Sequence, residues 1–168
     1  MPAPVIIIDY DSHWPEIFLF LKEKIKPVLG NLALAIEHVG STSVPGLAAK
    51  PIIDMNIMID SRRNLPEVIQ LLATLGYVHQ GDLGIQGREA FISPSGWPDH
   101  HLYVCDKDNR ELHRQISFRN YLRTHPEMAE KYGQLKKELS LQFRNDREGY
   151  TQAKSDFIES ILLNIMPD

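Results

Sequence analysis

The run "IEHVGSTSVPGLAAKPIIDMNIMI", residues 36–59, decides the fold of this chain. Two segments rich in β-branched and other apolar residues flank a turn of Gly, Ser, Thr and Pro. This pattern predicts one strand over residues 34–39 and a second over residues 52–59. Asp54 lies inside the second apolar run, although a strand that is buried on both faces would not hold a carboxylate there.

Separating the two faces of the second strand explains this carboxylate. Because successive side chains of a strand point to opposite faces, every second residue from Ile53 to Ile59 belongs to one unbroken apolar row. The other face presents Asp54 and Asn56 side by side. Oxygen ligands on a rigid strand suit a hard cation such as Mg²⁺, which takes one or two carboxylates plus substrate phosphates. We therefore predict Asp54 as a metal ligand, and Asp54 and Asn56 as catalytic residues.

The turn between these strands has the composition of a phosphate-binding loop. Gly40 allows the backbone to approach a ligand closely, and exposed N–H groups with the hydroxyls of Ser41 and Thr42 can contact phosphate oxygens. Lys50, just before the second strand, adds a positive charge. The alternative is a plain connection between two strands, with Asp54 on an exposed face.

Outside this run, short strands alternate with helices, and the chain then ends in helices alone. We expect a strand over residues 4–8, a helix over 11–30 capped by Asp11 or Ser12, a helix over 64–75, and strands over 89–92 and 101–105. From Arg110 onward apolar residues recur at helical spacing, which predicts three helices. The predicted class is α+β, a mixed sheet with flanking helices. It forms a single domain, with residues 1–108 as the sheet part and 109–168 as the helical part.

Composition limits the class of protein further. The chain has 168 residues and a net charge of −4, so one domain is expected and a nucleic-acid partner is not. Apolar runs stay shorter than the ~20 residues of a membrane helix, so no membrane partner is expected. A single cysteine favours a reducing compartment, the cytoplasm. Seven histidines without a cysteine pair do not indicate a structural zinc site.

The run "IEHVGSTSVPGLAAKPIID" closely resembles the signature of the GrpB family, which is also found fused to some dephospho-CoA kinases. "DYDSHWPEIF" resembles the opening of that family, "HHLYV" its central strand, and "FRNYLRTHPEMAEKYGQLKKEL" and "YTQAKSDFI" its helical end. The resemblance thus covers nearly the whole chain. The family in turn resembles a branch of the nucleotidyltransferase superfamily typified by DNA polymerase β. This implies a nucleotidyltransferase-like mixed sheet with a C-terminal helical portion.

The superfamily pattern is Gly-Ser or Gly-Gly, a spacer, and then Asp-x-Asp or Asp-x-Glu. Gly40, Ser41 and Asp54 match it, but Asn56 stands where a second carboxylate is usual. Transfer in the superfamily uses two metal ions held by about three carboxylates, so a neutral Asn weakens the bridge between the metals. Three alternatives remain: one metal suffices, another acid such as Glu37 substitutes, or the chemistry has been lost.

The strand over residues 101–105 adds a histidine. Leu102 and Val104 indicate its core face, so His101 and Tyr103 share the face turned toward the site. His101 is a candidate metal ligand or acid–base residue, or else a hydrogen-bonded strand histidine. The GrpB pattern has a His where this chain has Tyr103. His38 is expected to brace the turn through hydrogen bonds.

The helical part supplies cations that a triphosphate beside Asp54 would need. Arg119 and Lys136 match positions in the helical motifs of the family, and we assign them to phosphate binding on that resemblance. The alternative is that these charges form the solvated face of amphipathic helices.

Three functional hypotheses result, and whether the protein is an enzyme stays open among them. The first is transfer of a nucleotide from ATP or another nucleoside triphosphate to a small-molecule acceptor, with Mg²⁺ as cofactor. The second keeps the fold without catalysis, as a nucleotide- or phosphometabolite-binding module linked to coenzyme A metabolism. A phosphate-ester hydrolase is a third hypothesis, since the same metal can activate water.

Overall fold

A five-stranded mixed sheet is the frame of the computed structural model, which describes residues 4–166. The strands are β1 (Ala35–Val39), β2 (Ile53–Ile59), β3 (Val78–Gly81), β4 (Arg88–Ile92) and β5 (His100–Asp106). Their order is β1-β2-β5-β4-β3, with β2 and β5 parallel and the other neighbours antiparallel. The helices are α1 (Trp14–Leu29), α2 (Leu65–Thr74), α3 (Arg110–Thr124), α4 (Pro126–Gln142) and α5 (Arg147–Ile165). None of these helices in the described range is long and apolar enough to cross a lipid bilayer.

The predicted α+β class is confirmed, and two details of the element pattern differ. Residues 4–8 do not form a strand, because Ile8 makes only an isolated bridge with Ala49. Strand β3 was not predicted, since its sequence is short, polar and largely exposed. Helix α1 has His13 at its N-cap position, and Asp11 accepts the backbone N–H of His13 at 2.8 Å.

The apolar row of β2 forms the core, as its period of two predicts. Ile53, Met55, Ile57 and Ile59 are each at most 1% exposed and pack in one cluster with residues of α1 and α2. Burying such a side chain stabilises a fold by ~1.5–3 kcal/mol. This arrangement leaves the opposite face of β2, with its polar side chains, turned away from α1 and α2.

The helical part packs on the connection between β1 and β2. Val44 and Leu47 of that connection form a second apolar cluster with Leu122, Tyr132 and Ile161 of the last three helices. The polar face of the sheet therefore meets α3, α4 and α5 across cavities, not across a continuous apolar core.

Candidate active site

Strand pairing brings Asp54 and His101 together. In the parallel register of β2 and β5, Asp54 lies beside His101 and Asn56 beside Tyr103. Nδ1 of His101 is 2.8 Å from Oδ1 of Asp54. The two side chains are 54% and 32% exposed respectively, so both are accessible from solvent. The predicted metal ligand and the predicted histidine thus form one contact pair.

Gly40 meets Asp54 from the other neighbouring strand. Val39 pairs with Asp54 in the β1–β2 register, and Gly40 follows it with a φ of +75°. A Cβ atom built on Gly40 would overlap Oδ2 of Asp54. Position 40 therefore requires glycine for its conformation and for its space. From the sequence we expect a ligand to approach the backbone closely at Gly40. In this structure the Asp54 carboxylate makes that approach.

His38 braces the turn, as expected. Its Nε2 lies 2.8 Å from Oγ1 of Thr42, and its ring stacks on Phe18 with centroids 4.8 Å apart. Burial, reinforced by the charge of Arg123, lowers the pKa of His38 to about 4. The imidazole is therefore neutral near pH 7. The hydroxyl of Thr42 is occupied by this contact.

Asn56 lies beneath α3. It is fully buried, and its Nδ2 donates to Oε1 of Gln115 at 3.1 Å. Its Oδ1 is buried without a hydrogen-bond partner among the described residues. Asn56 shares the strand face of Asp54, but it lines neither of the two cavities that Asp54 lines.

Glu37 forms an ion pair with Arg119. Nη1 of Arg119 donates to Oε2 of Glu37 at 2.7 Å and to the carbonyl oxygen of His38 at 2.9 Å. Arg119 is buried in this contact and links α3 to β1. Because Glu37 lines neither cavity at Asp54, it does not stand in for a second metal-binding carboxylate in this arrangement.

A cavity of about 250 Å³ beside Asp54 collects positive charge. We call it the lysine cavity, after Lys50, Lys136 and Lys154 in its wall. Arg147 adds a fourth cation, and Asp54 is the only carboxylate among the described residues that line it. Ser41, Thr42, His101 and Tyr150 complete its polar lining.

Lys136 is the most deeply buried of these cations. It is 2% exposed, and its ammonium lies 4.7 Å from the centroid of the Tyr132 ring. Burial, with repulsion from Lys154 and Lys50, lowers the pKa of Lys136 to about 6. Burial also lowers the pKa values of Lys50 and Lys154. Across residues 4–166 no carboxylate forms an ion pair with any of the three lysines, so the cavity has the charge of an anion-binding site.

Helix α5 contributes site residues that the sequence reasoning did not select. Arg147, Tyr150 and Lys154 follow one another at spacings of three and four, which places them on one helix face. Tyr150 is buried, and the ammonium groups of Lys50 and Lys154 lie 5.2 and 5.4 Å from the centroid of its ring. The helical spacing of these three residues was the sequence signal that could have placed them together at one site.

A second cavity, of about 280 Å³, adjoins the first. Ser41, Asp54 and Lys154 line both, so the carboxylate stands where the two cavities meet. We call this second one the arginine cavity, because Arg88, Arg114 and Arg119 line it. It lies between the β4–β5 side of the sheet and helices α3 and α5.

The side chains at Asp54 suit one hard cation better than two. No group of three or more His, Cys, Asp or Glu side chains converges anywhere in residues 4–166. One carboxylate, together with phosphate oxygens and water, matches the coordination that Mg²⁺ prefers. A pair of metal ions would need further carboxylates.

Comparison with known proteins indicates one family. The sequence model of that family, described as "GrpB protein", matches residues 4–164. YqkA of Bacillus subtilis, a UPF0157 protein, is 38% identical over 156 residues, which are 93% of this chain and 46% of that protein. The chain thus spans about half the length of that relative. A dephospho-CoA kinase of Mycolicibacterium paratuberculosis is 36% identical over 78 residues, 45% of this chain and 19% of the kinase.

Solved structures agree with the family match and with the predicted fold. GrpB from Enterococcus faecalis superposes with a TM-score of 0.78 at 31% identity and covers 93% of this chain and 99% of its own. A cytoplasmic RNA terminal U-transferase gives 0.57 at 10% identity, over 77% of this chain and 41% of its own. A Cid1 poly(U) polymerase mutant bound to MgATP gives 0.52 at 10% identity, over 68% and 39%. These two distant matches concern the fold alone, which is nucleotidyltransferase-like.

Proposed function

The chain belongs to the GrpB family, and on that premise we propose that it binds a nucleoside triphosphate with Mg²⁺ and transfers the nucleotide to a small-molecule acceptor. One observation carries the proposal: Asp54 shares a cavity with Lys50, Lys136 and Lys154, and none of these lysines forms an ion pair with a carboxylate of the described residues. A triphosphate carries the negative charge that such a cavity lacks. ATP is the natural first probe, because a structural neighbour is described as bound to MgATP.

Each of the site residues has a separate role in this reaction. Asp54 would hold Mg²⁺, which when bound supplies Lewis-acid polarisation of the phosphate oxygens. The three lysines and the Ser41 hydroxyl bind the β- and γ-phosphates. The acceptor atom then forms a bond to the α-phosphorus, the bond to the bridging oxygen breaks, and pyrophosphate leaves. With Nδ1–H of His101 donating to Asp54, Nε2 keeps a lone pair for the proton that the acceptor loses.

The experiment that tests this proposal is a titration of Mg·ATP into wild type and Asp54→Asn. We expect the variant to bind at least tenfold more weakly, because its neutral amide is a poorer Mg²⁺ ligand. Asp60→Asn is the matched control, since Asp60 is exposed just past the other end of β2 and pairs with Lys107. Release of pyrophosphate from labelled ATP in a metabolite mixture then tests transfer. Equal affinities in the absence and presence of Mg²⁺ would contradict the proposal.

The second candidate is a binding module without catalysis. It is favoured by the lone carboxylate at the site, since Asn56 is buried and Glu37 is paired with Arg119. The similarity to a dephospho-CoA kinase suggests a link to coenzyme A metabolism. Tight Mg·ATP binding without pyrophosphate release supports this candidate. Release of inorganic phosphate instead would support hydrolysis.

We propose a small acceptor rather than a nucleic acid because the space next to Asp54 is limited. The arginine cavity holds about 280 Å³. The cytoplasm is the proposed compartment, because the single cysteine, Cys105, is buried and free.

A further inference from the structure

The arginine cavity contains a guanidinium group whose hydrogen bonds are incomplete. Arg88 lies with its guanidinium carbon 4.3 Å from the centroid of the Tyr103 ring. Its Nε is buried without a hydrogen-bond partner among the described residues, and its Nη2 makes only a long contact of 3.4 Å with the carbonyl oxygen of Asp82. A buried donor without an acceptor destabilises a fold unless a ligand supplies the acceptor.

The other two arginines of this cavity are neutralised by the protein itself. Arg119 pairs with Glu37, and Arg114 pairs with Glu159 and Glu111. No carboxylate of the described residues forms an ion pair with Arg88. Apart from Lys154, which this cavity shares with the lysine cavity, Arg88 is therefore the one cation of this wall without an ion-pair partner among the described residues. A guanidinium matches a carboxylate or a phosphate in a two-pronged contact.

Much of the remaining wall is apolar or aromatic, although Ser41, Glu111 and Gln115 also line it. Apolar residues of two helices face the sheet across the cavity: Phe118 and Leu122 of α3, and Ile158 and Leu162 of α5. A ligand that fills this space needs an apolar body as well as an anionic group. Because the cavity volume is about 280 Å³, that body is small.

Strand register sets the position of Arg88 relative to Asp54. Arg88 pairs with Cys105, and Asp54 pairs with His101, four residues earlier on β5. Four residues of strand span ~13 Å, and the long Arg88 side chain shortens the gap. A small molecule anchored at Arg88 along the Tyr103 ring therefore reaches the point where the two cavities meet.

We infer that the arginine cavity is the acceptor site, and that it selects a small molecule with an anionic head group, carboxylate or phosphate, on an apolar body. This inference rests on the proposed function, because it assigns the acceptor of the same reaction. The nucleoside of the triphosphate is the competing occupant. A nucleoside is uncharged and would leave Arg88 without a counter-ion, so the geometry favours the acidic acceptor.

The test uses phenylacetate and its neutral counterpart phenylacetamide as probes, with the full chain and ligand-observed NMR. We expect wild type to bind phenylacetate at least tenfold more tightly than phenylacetamide, both with and without the non-reactive analogue α,β-methylene-ATP and Mg²⁺. Arg88→Met should lose this preference and Arg88→Lys should keep part of it, which separates loss of charge from misfolding. Arg63→Met is the control, because Arg63 is exposed and lies outside the cavity.

Three results would overturn the inference: equal binding of the two probes, an unchanged preference in Arg88→Met, or displacement of phenylacetate by α,β-methylene-ATP. The last result would assign the cavity to the nucleoside. Phenyl phosphate separates the two head groups, since a preference for it over phenylacetate identifies phosphate and the reverse identifies carboxylate. Failure of Mg·ATP to bind would overturn the proposed function and leave the selectivity of the cavity for an acidic ligand standing, because the preference for phenylacetate is also measured without nucleotide.

Discussion

At the scale of single residues, a buried ammonium group without a counter-ion destabilises the fold around it, and Lys136 is such a group. We predict that Lys136→Met raises the free energy of unfolding by ~1 kcal/mol or more at pH 6. Burial lowers the pKa of this lysine from 10.5 to about 6, so between these pH values the unfolded chain binds more protons than the folded one. Wild type therefore gains stability as the pH rises, and the advantage of the variant shrinks toward pH 9.

Urea denaturation of both proteins at pH 6 and pH 9 measures this effect. Lys137→Met is the matched control, because Lys137 pairs with Asp9 at the surface and should change stability little. An equal gain from Lys136→Met at both pH values would mean that the buried charge is not the cause. Residues that lower stability in this way are common at functional sites.

The same lysine predicts that nucleotide binding takes up a proton. Lys136 faces Lys154, Lys50, Asp54 and the Tyr132 ring. These groups carry an excess of positive charge, and a bound polyphosphate would make the surroundings of Lys136 negative. The pKa of Lys136 should then rise on binding, so that affinity falls by up to ~tenfold per pH unit above pH 6. Calorimetry of Mg·ATP binding in buffers of different ionisation enthalpy measures the uptake. Lys136→Met should abolish it, and unchanged uptake in that variant would assign the proton to another group.

At the scale of elements, the turn after β1 tests how closely the backbone must approach Asp54. Gly40 and Gly46 both have positive φ, +75° and +82°, so alanine at either position costs ~1 kcal/mol in conformational energy. A Cβ atom meets Asp54 at position 40 and nothing within 4 Å at position 46. We predict that Gly40→Ala loses more stability than Gly46→Ala and also weakens Mg·ATP binding. Chemical denaturation and calorimetry of the two variants measure both effects, and equal losses would contradict the role assigned to Gly40.

Element-level prediction from the sequence succeeded where the signal was local. The period of two in β2 placed Ile53 in the core and Asp54 on the site face, and His101 followed from the same rule in β5. Residues 4–8 have the composition of a strand, but a strand needs a hydrogen-bonded neighbour along its length, which their sequence does not reveal. The burial of Asn56 depends on how α3 docks through Gln115, which no local pattern contains. The same applies to Lys154, which reaches Asp54 only when α5 packs on the sheet.

At the scale of the whole molecule, the negative net charge of the chain did not indicate the positive charge of the lysine cavity. The chain carries −4 overall, yet four basic side chains and one carboxylate line the lysine cavity. These basic residues come from the connection before β2, from α4 and from α5, which are separated by up to about a hundred residues of chain. A polyanion bound there would hold the sheet part and the helical part together, so we expect the two parts to respond to it as one unit.

Unfolding experiments can test that expectation, because the two parts carry different spectroscopic signals. Both tryptophans, Trp14 and Trp97, lie in the sheet part, whereas most helical residues belong to α3, α4 and α5. Since Val44 and Leu47 pack into the helical cluster and Arg119 ties α3 to β1, we predict that tryptophan fluorescence and far-ultraviolet circular dichroism report the same melting temperature.

Mg·ATP at a hundredfold excess over its Kd should raise both transitions together, by roughly 5–10 °C, because ligand linkage then adds ~2.7 kcal/mol. At the same ligand concentration Asp54→Asn should reduce the shift to about half or less, because binding at least tenfold weaker lowers the linkage term to ~1.4 kcal/mol or below. The two transitions should stay together, since the packing of Val44 and Leu47 is left intact. A circular dichroism transition that precedes the fluorescence transition would show that residues 109–168 unfold independently. The single-domain prediction would then be wrong, and the lysine cavity would be an interface between two separately folding units.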